Sequence, residues 1–389
     1  MEAYLDNSAT TILDPQVLSE LNRIYTQVPG NPSSLYSKGL AAEQELDSAR
    51  RILAASLGVE SREIYFTSGG TEANNIGLIG AARSYRRRGK HIITTSVEHP
   101  SVLGAMESLK EEGFEVTLLP CDREGRIQPQ HLLEALREDT ILVSTMFVNN
   151  ESGAIAPIGE LASVLAKRDN NLPLWHVDAV QGYGRIELDP KKLGIDLVSL
   201  SAHKIHGPKG CGALYLRRGV VLSPVIHGGG QERGLRPGTE NVAAIAALGK
   251  AAQLALATQK ESWERMGRFR EQLIDCSQKC GGIVNGPKGR DAAAYILNLS
   301  FPGVPAEVLV HSADARGIYL STGSACSSKQ KTPSHVLEAM GLERELYTSA
   351  VRVSLSRLTK KEEIEYTCQV LPEVVGELRA LYGQKKRSR

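Results

Sequence analysis

Beyond residue 60 the chain alternates short apolar, β-branched runs with longer helical stretches. Runs at 63–67, 91–95, 115–119, 140–148, 172–177 and 195–200 each stop at a polar or glycine-bearing segment. Runs of this length and composition predict buried strands. Helices are predicted between them, over 73–85 and from Pro100 to near Gly113. Alternation of this kind predicts a mostly parallel sheet covered by helices. A further run at 211–216 predicts an added strand that runs antiparallel. Upstream, a short strand at Tyr4 turns into a polar loop, and Asp14-Pro15 caps a helix to about Tyr25. A second helix is predicted over 39–57. Past the apolar helical run 242–257 the character changes. An amphipathic helix (261–279) precedes strands at 293–300 and 317–320, which flank a helix at 305–315. Two more helices follow, at 333–340 and 360–382. The expected architecture is α/β. A large domain (15–257) holds a mostly parallel mixed sheet, and a smaller α+β domain is built from 1–14 and 258–389.

Composition narrows the function more than the fold. With 46 basic and 44 acidic residues the net charge is +2, which offers no argument for binding nucleic acid or a membrane surface. The runs Arg86-Arg87-Arg88 and Lys385-Lys386-Arg387-Ser388-Arg389 read most simply as solvated surface. Met1 to Thr11 lacks the basic start and apolar run of a signal peptide, and no stretch approaches the ~20 apolar residues that span a bilayer. Six cysteines (Cys121, Cys211, Cys276, Cys280, Cys326, Cys368) are scattered without a CxxC pair. That pattern points to a reducing, cytoplasmic setting. Cys276 and Cys280 lie four apart on a predicted helix, but no second ligand pair lies near them, so no metal is expected.

The candidate chemistry lies at the strand ends, where open α/β sheets place their ligands. The run 195–200 leads into Ser201-Ala202-His203-Lys204, and Gly207-Pro208-Lys209-Gly210 then breaks regular structure. A lysine held there among small residues has a lowered pKa and can form a Schiff base with a carbonyl. Earlier strand ends offer His99, Asn150 and the pair Asp178 and Gln181. Ser68-Gly69-Gly70-Thr71-Glu72 stands between a strand and a helix, so its amides and the Thr71 hydroxyl can cradle a phosphate. Its spacing matches neither GxGxxG nor GxxxxGK[ST]. Taken singly, each feature could be structural: a glycine turn, a satisfied histidine, a helix-capping aspartate. Together they describe a site for pyridoxal 5′-phosphate. Lys204 meets the aldehyde, and Asp178 keeps the ring nitrogen protonated. His99 stacks on the ring and Gln181 bonds its hydroxyl, while Gly70, Thr71, Ser201 and His203 take the phosphate. The small, polar loop 321–332 also carries Cys326 among hydroxyls and lysines, a setting for a reactive thiolate or for an incidental surface cysteine.

Along essentially its whole length the chain resembles the cysteine desulfurases, the NifS/IscS-type members of the class V aminotransferase group with fold type I architecture. The resemblance rests on Asp6-Asn7-Ser8-Ala9-Thr10-Thr11, Gly30-Asn31-Pro32-Ser33-Ser34, Thr67-Ser68-Gly69-Gly70-Thr71-Glu72 and Glu98-His99-Pro100. It continues through Val148-Asn149-Asn150-Glu151, His176-Val177-Asp178-Ala179-Val180-Gln181, Ser201-Ala202-His203-Lys204, Gly228-Gly229-Gly230-Gln231-Glu232-Arg233-Gly234, Arg236-Pro237-Gly238-Thr239-Glu240 and Ser324-Ala325-Cys326. It implies the same cofactor roles and adds others. Thr239 reaches the phosphate of the partner subunit in a homodimer. Asn150 and Arg352 hold the substrate carboxylate, and Cys326 is the nucleophile alongside Lys204 and His99. The implied reaction turns L-cysteine into L-alanine and leaves a persulfide on Cys326. A sulfur-acceptor protein then takes the sulfur toward iron–sulfur cluster, thiamine or tRNA thiolation chemistry, without direct contact to nucleic acid. The seven residues from Cys326 to Pro333 resemble the long-loop branch, in which the cysteine swings out to hand sulfur onward. Tyr36 stands where relatives commonly have histidine, which leaves the choice of acceptor open. A selenocysteine lyase or another pyridoxal-phosphate transaminase or lyase remains the alternative; a scaffold without cofactor would not need Lys204 and Asp178.

Overall fold

The computed structural model describes residues 1–167, 173–323 and 334–387. The N-terminus contributes β1 (Ala3–Tyr4), α1 (Pro15–Gln27) and α2 (Ser37–Ser56). Asp14 caps α1 as its sequence predicts, its Oδ1 accepting from the Gln16 amide at 2.8 Å. A seven-stranded sheet follows with its helices: β2 (Ile64–Thr67), α3 (Gly70–Tyr85), β3 (His91–Thr95), α4 (Pro100–Glu111) and β4 (Glu115–Leu119) come first. Next are α5 (Pro129–Ala135), β5 (Thr140–Met146), α6 (Ile158–Leu165), β6 (Leu174–Asp178), α7 (Pro190–Leu193), β7 (Leu197–Ser201) and β8 (Gly212–Leu216). In space the strands run β2-β8-β7-β6-β5-β3-β4. All neighbours are parallel except β8, which is antiparallel to both β2 and β7. Every residue of β5, β6 and β7 is buried, which is why these runs read as continuously apolar rather than alternating. β4, at the sheet edge, does show exposed positions.

The free edge of β2 is closed by side chains instead of another strand. Its outward Ile64 carbonyl accepts from Arg50 at 2.6 Å and from Arg233 at 2.7 Å, and the Phe66 amide donates to Glu232 at 2.9 Å. Such closure removes a template for pairing with other chains.

Helix α8 (Val242–Ala257) is apolar on nearly every side because it is packed against α1, α2 and the turn Ala202–Lys204; most of its residues are buried. The remaining chain forms α9 (Gln259–Lys279), β9 (Ile283–Asn285), β10 (Ile296–Ser300), α10 (Ala306–Asp314), β11 (Ile318–Tyr319), α11 (His335–Ala339), α12 (Arg344–Tyr347), β12 (Ala350–Ser354) and α13 (Lys361–Arg387). β12, β10 and β9 make an antiparallel sheet. The N-terminal β1 pairs in parallel with β11, and Asp6 bridges to Ser354. The first strand therefore belongs structurally with the last third of the chain.

The structure departs from the predicted elements in a few places. Helix α3 begins at Gly70 rather than Ala73, so the glycine turn is its first turn. β5 stops at Met146, beyond which Val148 makes only an isolated bridge to Ile155. β9, β12 and the short helices α5, α6, α7 and α12 carry too little periodicity to be read locally. Among the described residues no single helix is long and apolar enough to cross a membrane.

Candidate active site

Four neighbouring parallel strands, β7, β6, β5 and β3, end on one edge of the sheet, and the segments leaving them converge on one cavity of about 220 Å³. Its lining includes Gly70, Thr71, His99, Asn150, Asp178, Gln181, Ser201, His203, Lys204 and Arg352. Ten of the residues singled out in the sequence thus meet in one place. Thr239 is exposed and does not line the cavity of its own chain. Cys326 lies outside the described residues.

Lys204 ends a 3-10 turn, Ala202–Lys204, directly after β7. Its Nζ donates to the carbonyls of Ser8 and Ala9, the latter at 2.8 Å. The N-terminal segment thus forms one wall, and Gln181 binds the same Ser8 carbonyl through Nε2 at 3.0 Å. Gln181 Oε1 in turn accepts from Arg185 at 3.1 Å.

Asp178, the last residue of β6, is buried. Its Oδ1 accepts from the Val180 amide at 3.0 Å and its Oδ2 from Asn74 Nδ2 at 2.8 Å. Asn74 Nδ2 also donates to Ser101 Oγ at 2.9 Å, and Ser101 Oγ lies 2.8 Å from His99 Nδ1. Because His99 Nδ1 also accepts from the Ser101 amide at 3.1 Å, the neutral ring carries its proton on Nε2. Burial holds the His99 pKa below its ordinary value; the Lys204 cation adds to this and Asp178 opposes it. The carboxylate and the imidazole are thereby fixed relative to one another through Asn74 and Ser101. Neither residue was singled out in the sequence. The one signal for Asn74 is its place one turn into α3, on the face toward the strand ends.

The first-turn amides of α3 have no acceptor inside their own helix and carry its positive dipole end. A Cβ on Gly70 would come within 2.6 Å of Val180 Cγ2, so this close approach to the loop after β6 needs glycine. Ser201 is buried beside it, and His203 Nδ1 meets Thr10 Oγ1 at 3.1 Å. Burial, helped by the charges of Lys204, Lys209 and Arg185, pushes the His203 pKa down to about 4, which leaves a neutral ring at physiological pH.

Opposite this cradle, Arg352 projects from β12 and is fully buried. Its Nη1 donates to the Asn150 carbonyl at 3.0 Å and its Nη2 to Asp6 Oδ1 at 2.7 Å, while Nε has no partner among the described residues. The described residues on either side of 324–333 both lie against one carboxylate. Ser334 Oγ donates to Glu151 Oε2 at 2.5 Å, and a Cβ on Gly323 (φ +122°) would come within 3.0 Å of the same oxygen. Glu151 directly follows Asn150, so the described residues that flank the segment carrying Cys326 lie beside the cavity.

A family model for class-V aminotransferases matches residues 3–367. The chain is 44% identical to a cysteine desulfurase IscS of Methanosarcina thermophila over 97% of its own length and 92% of that protein. A solved NifS-like protein superposes with a TM-score of 0.92 at 38% identity, covering 97% of this chain and 100% of that one. A structure described as SspA in complex with cysteine superposes at 0.80 with 34% identity, covering 91% and 98%.

Proposed function

The chain belongs to the class-V aminotransferases and, within them, to the cysteine desulfurases, and from that premise we propose that it holds pyridoxal 5′-phosphate in the cavity around Lys204 and moves the sulfur of L-cysteine onto Cys326. The observation that carries this reading is the convergence of an amine, a buried carboxylate and a helix N-terminus on one cavity. The donor set fits the cofactor's three polar features: the Lys204 amine suits the aldehyde, Asp178 the ring nitrogen, and the glycine-bearing first turn of α3 with Ser201 and His203 the phosphate. When bound, the cofactor supplies an electron sink for the substrate Cα.

The chain's own residues account for the rest. Asp178, oriented by Asn74 and the Val180 amide, stabilises a proton on the ring nitrogen. Gln181 would bond the ring hydroxyl and His99 would cover the ring face. The Lys204 amine would move the Cα proton. Arg352 and Asn150 hold the substrate carboxylate, with Asp6 keeping the guanidinium in place. Cys326 thiolate attacks the substrate sulfur. The new S–S bond forms as the C–S bond breaks, and the released electron pair takes a proton at carbon to give alanine. The persulfide sulfur then passes to an acceptor protein's thiol. In this reading the enzyme is a cytoplasmic homodimer, with Thr239 serving the partner's phosphate. The domains divide as 15–257, around the seven-stranded sheet, and 1–14 with 258–389.

Incubation with L-cysteine under a thiol reductant tests the proposal. Alanine and sulfide should appear in equal amounts, and without reductant mass spectrometry should find the extra sulfur on Cys326. Keto acid without sulfide, or extra sulfur only on Cys121 or Cys211, would overturn it. Burial raises the pKa of both of those thiols, Cys211 to about 12, so they are poor nucleophiles.

A further inference from the structure

Outside the cavity, two thiols meet where α9 packs against α13. Cys276 is buried on α9, and Cys368 is half-buried on α13. Cys368 Sγ lies 3.5 Å from the carbonyl oxygen of Gln272. Within α9 that carbonyl is the acceptor of the Cys276 amide, so the Cys368 sulfur sits over the turn that ends at Cys276. Cys276 Sγ donates to the Leu273 carbonyl at 3.3 Å, so the two sulfurs lie on the carbonyls of adjacent residues in one turn of α9. We propose that Cys276 and Cys368 are a redox-reactive dithiol, a modification site that closes to a disulfide between α9 and α13 by exchange with small-molecule disulfides.

The surroundings assign the two sulfurs different roles. The neighbouring Cys276 thiol and Lys279 lower the Cys368 pKa; burial and Asp275 oppose them. Cys276 is buried and its pKa is raised. Cys368, with its outer side open to solvent, is the attacking thiolate. It attacks one sulfur of the small disulfide and expels one small thiolate, leaving a mixed disulfide on Cys368. Cys276 then loses its proton to solvent and attacks the Cys368 sulfur, expelling the second small thiolate. Two protein thiols are oxidised, one small disulfide is reduced to two thiols, and no other reactant is needed. Cys280, just past the end of α9, takes no part: its Sγ lies on the Ser277 carbonyl at 3.1 Å, more than a turn along from the Gln272 carbonyl that Cys368 meets.

The test uses the holoenzyme, the folded full chain, with bis(2-hydroxyethyl) disulfide as the probe and peptide mapping without reductant as the readout. The native chain should yield a peptide pair joined through Cys276 and Cys368, and a thiol reductant should reverse the link. Cys276→Ser should stop at a mixed disulfide on Cys368, because the resolving thiol is gone. Cys368→Ser should leave Cys276 unmodified. The oxidised native protein should also melt at a higher Tm than its reduced form, a shift absent from either serine variant. A link from Cys280 to either thiol would overturn the proposal. So would a mixed disulfide that persists on Cys368 of the native chain, or an unreacted pair in folded protein whose urea-unfolded form does react.

Discussion

At the scale of single residues, the site depends on groups that touch no substrate. Asn74 is one: a single amide nitrogen ties Asp178 on β6 to Ser101, and through it to His99 on α4. Asn74→Ala should leave the chain folded but release both partners. Misplacing the carboxylate and the ring should cost about tenfold in kcat, equivalent to ~1.4 kcal/mol. The absorbance of the bound cofactor should move as well, since in the proposed site Asp178 would set the protonation of its ring. A variant with native absorbance and native kcat would remove Asn74 from this role. His176 shows the other kind of residue, one whose protonation acts on stability. It is fully buried between strands, bonded to Ser144 Oγ and Ser199 Oγ at 2.9 Å each, and burial pushes its pKa from 6.5 to about 4 against a smaller opposing effect of Asp178. Between those values the unfolded chain binds a proton that the folded chain does not. The stability conferred is therefore complete above pH 6.5 and is lost as pH falls toward 4, by about 2 kcal/mol at pH 5. Glu98 works in the opposite direction: burial raises its pKa to about 8, so what it contributes fades as pH rises. Urea unfolding at about pH 7 and pH 5 should show His176→Gln losing less stability on acidification than the native chain. Equal losses would mean that His176 titrates normally.

At the scale of elements, the segment 231–240 is held by an unusual turn. Glu232, Arg233 and Gly234 all have positive φ (45°, 55° and 77°), and two of them are not glycine. Each such residue costs on the order of 1 kcal/mol, so the surroundings must offset the strain. They do so at the β2 edge. Glu232 takes a two-pronged grip from Arg50, at 2.9 and 2.7 Å, and also accepts the Phe66 amide; Arg233 lies 3.9 Å over the Tyr65 ring. Glu232→Ala should destabilise the chain by roughly 3 kcal/mol, because it leaves the Arg50 charge largely buried and unpaired. In a double-mutant cycle with Arg50→Met, the pair should lose well under the sum of the single losses; additive losses would show that the two groups do not act together. Elements like this one mark where sequence reading stops. Strand ends carrying Lys204, Asp178 and His99 were legible because each follows a local apolar run. Ser8 and Ala9, which receive Lys204, and Asp6, which holds Arg352, touch the site from 195 to 346 positions away in the chain, and no local pattern records such a meeting. Arg352 was found only by resemblance, since β12 is short and wholly buried and shows no alternation.

At the scale of the whole molecule, the proposed homodimer would divide each site between two chains. Arg236 pairs with Glu72 at 3.3 Å, next to the phosphate cradle of its own chain, and the Gly238 amide donates to Gln231 at 3.1 Å. Three residues beyond Arg236, Thr239 is exposed and outside its own cavity. A side chain so placed can serve a site completed by a second copy. Thr239→Asp should then weaken cofactor binding in the partner's site, because a carboxylate would face a dianionic phosphate. Lys204→Ala disables the site of its own chain, because its amine is lost. A heterodimer of the two variants collects both defects in one site, built from the altered Lys204 position and the partner's altered Thr239 position. The other site keeps native Lys204 and native Thr239. Mixing two nearly inactive homodimers under conditions of subunit exchange should therefore restore alanine release, approaching half of native activity per heterodimer. If Thr239 served its own chain, each site of the heterodimer would carry one defect and no activity would return. Differently tagged chains, purified as heterodimers and assayed for alanine from L-cysteine, separate the two outcomes.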